Sequence, residues 1–154
     1  MLIQIRKLYE NVLLPVQGSK NAGCYDVYAH EIQMISDSEV LVRLGFCTEI
    51  PEGYKGIIVP RSNLTKHNWI ISNSPAQIDS DYRGEWMIKF KAIPIGVTLK
   101  MSGASLKYEP FPYGVSERVA QIYFERVINP IFLPTDSLSS TERNDGGFGS
   151  TGVK

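Results

Sequence analysis

Cysteine and histidine are scarce: two of each occur in 154 residues. Cys24 and Cys47 read as separate reduced thiols, because a lone pair in a chain without a secretory leader makes a poor disulfide framework. His30 and His67 stand apart, and no cysteine and histidine grouping has the spacing of metal ligands. Long apolar runs are missing too. Nothing approaches the ~20 apolar residues of a membrane span, and the opening MLIQIRKLYE lacks the apolar stretch of a secretory signal. A cytoplasmic location is expected, in the host cytoplasm for a viral source. Charge of one sign is also lacking. With 16 basic and 16 acidic residues, and a formal net charge of +0, there is no broad field to draw a nucleic acid or a membrane surface. An anionic ligand must be met by a local cluster.

What is present is a strand-forming pattern. Hydrophobic residues make up 43% and charged residues 21%, which suits a globular body of one domain. Runs rich in Val, Ile, Tyr and Phe alternate apolar and polar residues at Leu2 to Leu8, Glu39 to Ile50, Gly56 to Val59, Trp69 to Ser72, Trp86 to Ile93 and Arg118 to Val127. In the fifth run Trp86, Ile88, Phe90 and Ala92 point to one face and Lys89 and Lys91 to the other. Turn chemistry separates the runs at Pro51-Glu52-Gly53, Asn73-Ser74-Pro75, Tyr82-Arg83-Gly84 and Pro112-Tyr113-Gly114. The expected fold is all-β, an antiparallel barrel or sandwich, with one helical turn around Ser62 to Lys66. Thr98 to Gly114 reads as a loop or an excursion of the sheet.

From Thr135 the chain becomes rich in Ser, Thr and Gly and has too few large apolar residues to build a core. The expected division is therefore a β domain over 1–134 and a flexible arm over 135–154. Closely spaced glycines let backbone N–H groups approach a phosphate, and Arg143, Ser150 and Thr151 add donors. Phe148 among the glycines suits stacking on a flat base. The P-loop pattern does not fit, since Val153 and Lys154 follow Gly152. By composition alone the same tail also reads as a disordered linker.

Five segments in order resemble the motifs of the trimeric dUTPase family: AGCYDVYA from Ala22, PRSNLTK from Pro60, NSPAQIDSDYRGE from Asn73, ERVAQIYF from Glu117 and RNDGGFGSTG from Arg143. The resemblance implies a dUTPase-like jelly-roll or β-barrel, a homotrimer, and hydrolysis of dUTP to dUMP and diphosphate. That reaction limits uracil incorporation into DNA and supplies dUMP for thymidylate synthesis. By resemblance Asp79 activates the water that attacks the α-phosphate, and a carboxylate is a suitable acceptor for its proton. Asp81 is given a structural role. Tyr82 is expected to pack under the deoxyribose and exclude a 2′-hydroxyl. Uracil presents a donor between two acceptors, which the hairpin backbone around Asn73, Gln77 and Ile78, with Met87, can read; cytosine reverses two of those signs. Arg61, Ser62 and Asn63 resemble the first phosphate motif, and Arg118 and Gln121 the second. Arg143, Gly149, Ser150 and Thr151 would hold the γ-phosphate while Phe148 stacks on uracil. Mg²⁺ is expected on the triphosphate, with Asp26 receiving its waters and no direct protein ligand.

Cys24, Asn63, Ala76 and Asn144 stand where the motifs have glycine. Of these, Ala76 would strain a left-handed backbone most. Two rivals remain at the level of sequence. A dCTP deaminase shares this type of fold and activates water with a glutamate. A dUTP-sensing regulator would use Thr98 to Gly114 to contact a protein partner.

Overall fold

The computed structural model describes residues 1–101 and 103–147. Its strands are β1 (Gln4–Lys7), β2 (Val16–Gln17), β3 (Tyr25–Tyr28), β4 (Glu31–Ser36), β5 (Glu39–Arg43), β6 (Phe46–Glu49) and β7 (Tyr54–Val59). They continue with β8 (Trp69–Ile71), β9 (Ala76–Ile78), β10 (Met87–Ala92), β11 (Gly96–Lys100), β12 (Gly103–Lys107) and β13 (Arg118–Arg126). A 3₁₀ turn at Ser62–Lys66 supplies the expected helical turn. No described helix is long and apolar enough to cross a membrane.

Every strand pairing is antiparallel. One sheet runs β4-β5-β10-β8 and a second runs β2-β3-β13-β7-β9, with β1-β6 and β11-β12 as separate pairs. The barrel is therefore open between sheets. The two larger sheets enclose Trp86, Phe46, Phe90, Leu44, Ile58, Ile88 and Ile122, each at most 2% exposed. On β10 the alternation is as the sequence implies, with Ile88, Phe90 and Ala92 buried and Lys89 and Lys91 exposed.

The run from Glu39 to Ile50 is not one strand. It breaks at Gly45, where φ is +74°, and an added Cβ would lie 2.6 Å from Val12 Cγ2 and 2.8 Å from His30 Cγ. Only glycine adopts that backbone in that space. The chain turns there, leaving β5 in the four-stranded sheet and carrying β6 to its pairing with β1.

The segment from Thr98 to Gly114 divides in two. Its first part belongs to the β11-β12 hairpin, which turns through Gly103 at φ +124°. Its second part returns to the core. The Phe111 ring lies 5.1 Å from Trp69 and 5.0 Å from Phe90, and Tyr113 lies 5.6 Å from Phe111. Both rings are half-buried, so each contributes a part of the roughly 1.5–3 kcal/mol that full burial of a phenylalanine provides. Glu109 ties this return to the strand before it. Its Oε2 accepts hydrogen bonds from Asn68 N at 2.8 Å and Asn68 Nδ2 at 2.9 Å, and its Oε1 lies 2.9 Å from His67 Nδ1. Those bonds hold the carboxyl pKa down at about 2, the Asn68 backbone bond contributing most.

Past β13 the described chain has no strand or helix as far as residue 147. Ile128, Ile131, Phe132, Leu133 and Leu138 are 85–95% exposed there.

Candidate functional site

β9 is the last strand of its sheet, paired with β7 through Gly56↔Ile78, Ile57↔Gln77 and Ile58↔Ala76. An edge strand keeps a row of backbone donors and acceptors available to a ligand. Beside it lies a cleft of about 350 Å³, lined by Asn73, Gln77, Ile78, Asp79, Tyr82 and Met87, with Ala76, Glu85, Leu41 and Lys89. The predicted nucleoside residues thus converge on one surface. Ala76 has ordinary extended backbone within β9, so alanine in place of glycine introduces no strain. Gln77 Oε1 accepts a hydrogen bond from Lys55 Nζ at 2.9 Å, and Lys55 is itself paired with Glu125 at 3.1 Å. That contact leaves the Gln77 backbone as its contribution to the cleft. Asn73 Oδ1 accepts from Lys89 N at 3.1 Å, which fastens the turn to β10.

Asp79 follows β9 directly and is exposed. Among the described residues no side chain pairs with its carboxylate, whereas Asp26 and Glu85 are both engaged. Tyr82 is folded back over Gly84, and its Oη donates to Glu85 O at 3.1 Å. A Cβ on Gly84 would fall 2.3 Å from that Oη, so glycine is required for the ring to lie there. Asp81 faces elsewhere, onto the surface formed by Glu49 and Arg83.

Glu85 has a role that the sequence did not disclose. Its side chain is 9% exposed and pairs through Oε2 with Arg43, while Oε1 accepts from Gly45 N at 3.0 Å. The Glu85 hydrogen bond and charge raise the Arg43 pKa further above its ordinary value. Glu85 thereby pins the segment that follows β9 to the Gly45 corner. A glycine at 45 and an acidic residue after Gly84 were the only signals, and their contact spans 40 residues.

A second cleft, of about 320 Å³, is lined by Asp26, Arg61, Ser62 and Gln121 with the loop at Gly18 and Ala22 to Cys24. Strand register assembles it: on β13, Gln121 stands opposite Asp26 of β3 and Val59 of β7. Asp26 Oδ1 lies 2.8 Å from Arg61 Nε and Oδ2 lies 3.3 Å from Arg118 Nη1. Arg61 Nη1 also donates to Arg118 O at 3.2 Å, and Gln121 Nε2 to Pro60 O at 3.2 Å. Two guanidinium groups thus stand against one carboxylate, with Arg61 lining the cleft and Arg118 beside it rather than in its lining. Arg118 also lies against Tyr28, its Cζ 5.9 Å from the ring centroid.

These groups suit an anion. Asp26 is the acidic side chain of this cleft, and its two ion pairs use part of a carboxylate's roughly four acceptor sites. Among the described residues no three His, Cys, Asp or Glu side chains gather as metal ligands. A single carboxylate with acceptor sites left over is consistent with a divalent metal carried on an anionic ligand. Asn63 does not line the cleft.

Arg143 Nε donates to Gly146 O at 2.9 Å, and Asn144 adopts φ +43°, a left-handed backbone that asparagine tolerates. Arg143 lines neither cleft. Phe148, Gly149, Ser150 and Thr151 lie outside the described residues.

The two clefts share no lining residue. Ile78 stands opposite Gly56, whereas Arg61 lies five residues beyond Gly56 in the other direction from Asp79. At ~3.3 Å per residue this separates the backbone of Asp79 from that of Arg61 in one chain by roughly 17 Å.

The dUTPase family profile matches residues 10–152. The deoxyuridine 5'-triphosphate nucleotidohydrolase of Helicobacter pylori strain Shi470 is 34% identical over 155 residues, covering 99% of this chain and 98% of the relative. The mitochondrial enzyme of that name from Dictyostelium discoideum is 38% identical over 152 residues, covering 98% of this chain and 77% of the relative. The dUTPase of Staphylococcus bacteriophage 80alpha, solved with dUPNHPP, shares the fold with a TM-score of 0.80 at 24% identity, over 99% of both chains. On the profile match and these identities, the chain belongs to the dUTPase family.

Proposed function

We propose that this chain hydrolyses dUTP to dUMP and diphosphate, at sites that each combine the Asp79 hairpin of one copy with the Arg61 and Arg118 cluster of another. The observation that carries the reading is the free carboxylate of Asp79 at the end of an edge strand, beside Tyr82. The unpaired edge of β9 reads the uracil N3–H and carbonyls, with Asn73, Gln77, Ile78 and Met87 forming its surroundings. Tyr82 supports the deoxyribose and leaves no room for a 2′-hydroxyl.

Asp79 accepts a proton from water as the water oxygen bonds to the α-phosphorus. The bond from that phosphorus to the bridging oxygen breaks, and diphosphate leaves with the bond's electron pair. Arg61 and Arg118, held side by side by Asp26, meet the phosphate oxygens, and Ser62, the Asn63 backbone and Gln121 add donors. Mg²⁺ on the triphosphate would offset its charge and draw water toward Asp26. Residues 135–154 form an arm in which Arg143, Gly149, Ser150 and Thr151 take the γ-phosphate and Phe148 covers uracil.

The ~17 Å separation supports assembly from several copies, and the homotrimer is the symmetric closed form we propose. The engagement of Glu85 by Arg43 and Gly45 favours phosphate hydrolysis over deamination, because a paired glutamate is not free to activate water. Nothing in the fold or the comparisons supports the protein partner expected at Thr98 to Gly114, and the proposal contains none.

Asp79→Asn tests the assignment. The variant should bind a non-hydrolysable dUTP analogue within a few-fold of wild type while turnover falls by about 10²-fold or more. Turnover at the wild-type rate would remove Asp79 from the mechanism.

A further inference from the structure

Tyr82 is held at both ends. Its backbone N–H donates to Asp79 O at 3.2 Å, so the ring starts from the same turn as the Asp79 carboxylate. At the far end Tyr82 Oη donates to the main-chain oxygen of Glu85 at 3.1 Å, with the ring lying over Gly84. Tyr82 is 39% exposed, so packing restrains the ring weakly and the Oη bond fixes its tilt. The acceptor is itself anchored. Glu85 Oε2 pairs with Arg43, Oε1 accepts from Gly45 N at 3.0 Å, and Gly45 O accepts from Leu8 N at 2.8 Å. Folding does not require a carboxylate there. The bonds from Trp86 N to Phe46 O and from Leu44 N to Trp86 O, each 3.0 Å, fasten this segment without it, and a neutral side chain would avoid the desolvation of a buried charge.

We propose that Arg43 and Glu85 are positioning residues for sugar selection. Held at both carboxylate oxygens, Glu85 aims its main-chain oxygen at Tyr82 Oη and fixes the ring against which the sugar packs. The inference rests on the reading of Tyr82 as the floor under the deoxyribose. Arg43 is outside the lining of the nucleoside cleft and acts only through Glu85. Rejection of a 2′-hydroxyl needs a floor that does not yield. A ring free to drop by the width of one oxygen admits ribose, whereas deoxyribose fits in either case. Loosening the pair therefore raises turnover of UTP relative to dUTP. A pair that only stabilised the fold would lower both together.

The test compares full-length wild type with Arg43→Met, Arg43→Lys, Tyr82→Phe, Tyr82→Ala and the double variant Arg43→Met with Tyr82→Phe. Each is measured for kcat/KM on dUTP and on UTP and for thermal unfolding. Arg43→Met and Tyr82→Phe should each lower the dUTP-to-UTP ratio about fivefold or more. The double variant should be no worse than the poorer single one, because both changes open one linkage. Arg43→Lys keeps a charge beside Glu85 and should recover part of the ratio. Tyr82→Phe alters an exposed hydroxyl and should unfold at the wild-type temperature, so it decides the question even if Arg43→Met is unstable. A wild-type ratio in Tyr82→Phe or in folded Arg43→Met, or losses that multiply in the double variant, would overturn the linkage. Tyr82→Ala separates this inference from the reading beneath it. It should remove most of the preference, and a wild-type ratio in that variant would overturn the sugar floor itself.

Discussion

Asp26 Oδ1 lies 2.8 Å from Arg61 Nε, and the opposite oxygen of the same carboxylate holds Arg118. The Asp26 side chain is 13% exposed, so this contact is less screened than a surface ion pair. Asp26→Asn adds net positive charge but releases both guanidinium groups. Position outweighs charge in this account, and KM for dUTP should therefore rise about tenfold. A lower KM in steady-state assays would show that charge alone governs the cleft.

Gly84→Ala places a Cβ within 2.3–2.8 Å of Tyr82 Oη, Cζ and Cε2. Since Tyr82 is partly exposed, its ring can swing out, and the melting temperature should change little. The floor under the sugar is lost. The preference for dUTP over UTP in kcat/KM should fall about tenfold or more. Unchanged preference would dissociate the ring position from sugar selection.

Glu109 has a folded pKa lowered from 4.5 to about 2 by its bonds to Asn68 and His67. A depressed carboxyl pKa contributes stability that is present above about 4.5 and lost as pH falls toward about 2. Denaturation midpoints of wild type should decline through that window, and Glu109→Gln should begin lower at neutral pH and decline less. Parallel curves would contradict the role of Glu109.

The sequence displayed some of this architecture and concealed the rest for physical reasons. β10 was legible because one face meets the core and the other meets water, which writes the period of two into Trp86 to Ala92. The corner at Gly45 was hidden inside one continuous strand-like run, since β5 and β6 both carry buried apolar residues and no proline or polar turn cluster separates them. Phe111 and Tyr113 carry no periodicity because they return to the core as an irregular segment, through contacts with Trp69 and Phe90. In the site, residue types and motif order named Asp79, Tyr82, Arg61 and Gln121. The contacts of Asp26 and Glu85 depend on strand register and on a corner between sheets, which local sequence does not specify.

Mixing two inactive chains tests assembly of the site between copies. Asp79→Asn and Arg61→Ala chains, each nearly inactive alone, should regain activity when refolded together in equal amounts. Random assembly leaves about a quarter of the sites with both native groups. No recovery, with mixed assemblies shown to form, would place Asp79 and Arg61 of one chain at the same phosphate.

The most direct test of the proposed activity is diphosphate release measured side by side on dUTP, dCTP, dTTP and UTP with Mg²⁺ present. The hairpin edge and Tyr82 predict rapid release from dUTP and at least about 10²-fold lower kcat/KM on each of the others, without ammonia from dCTP. Comparable release from all four, or ammonia in place of diphosphate, would contradict the account.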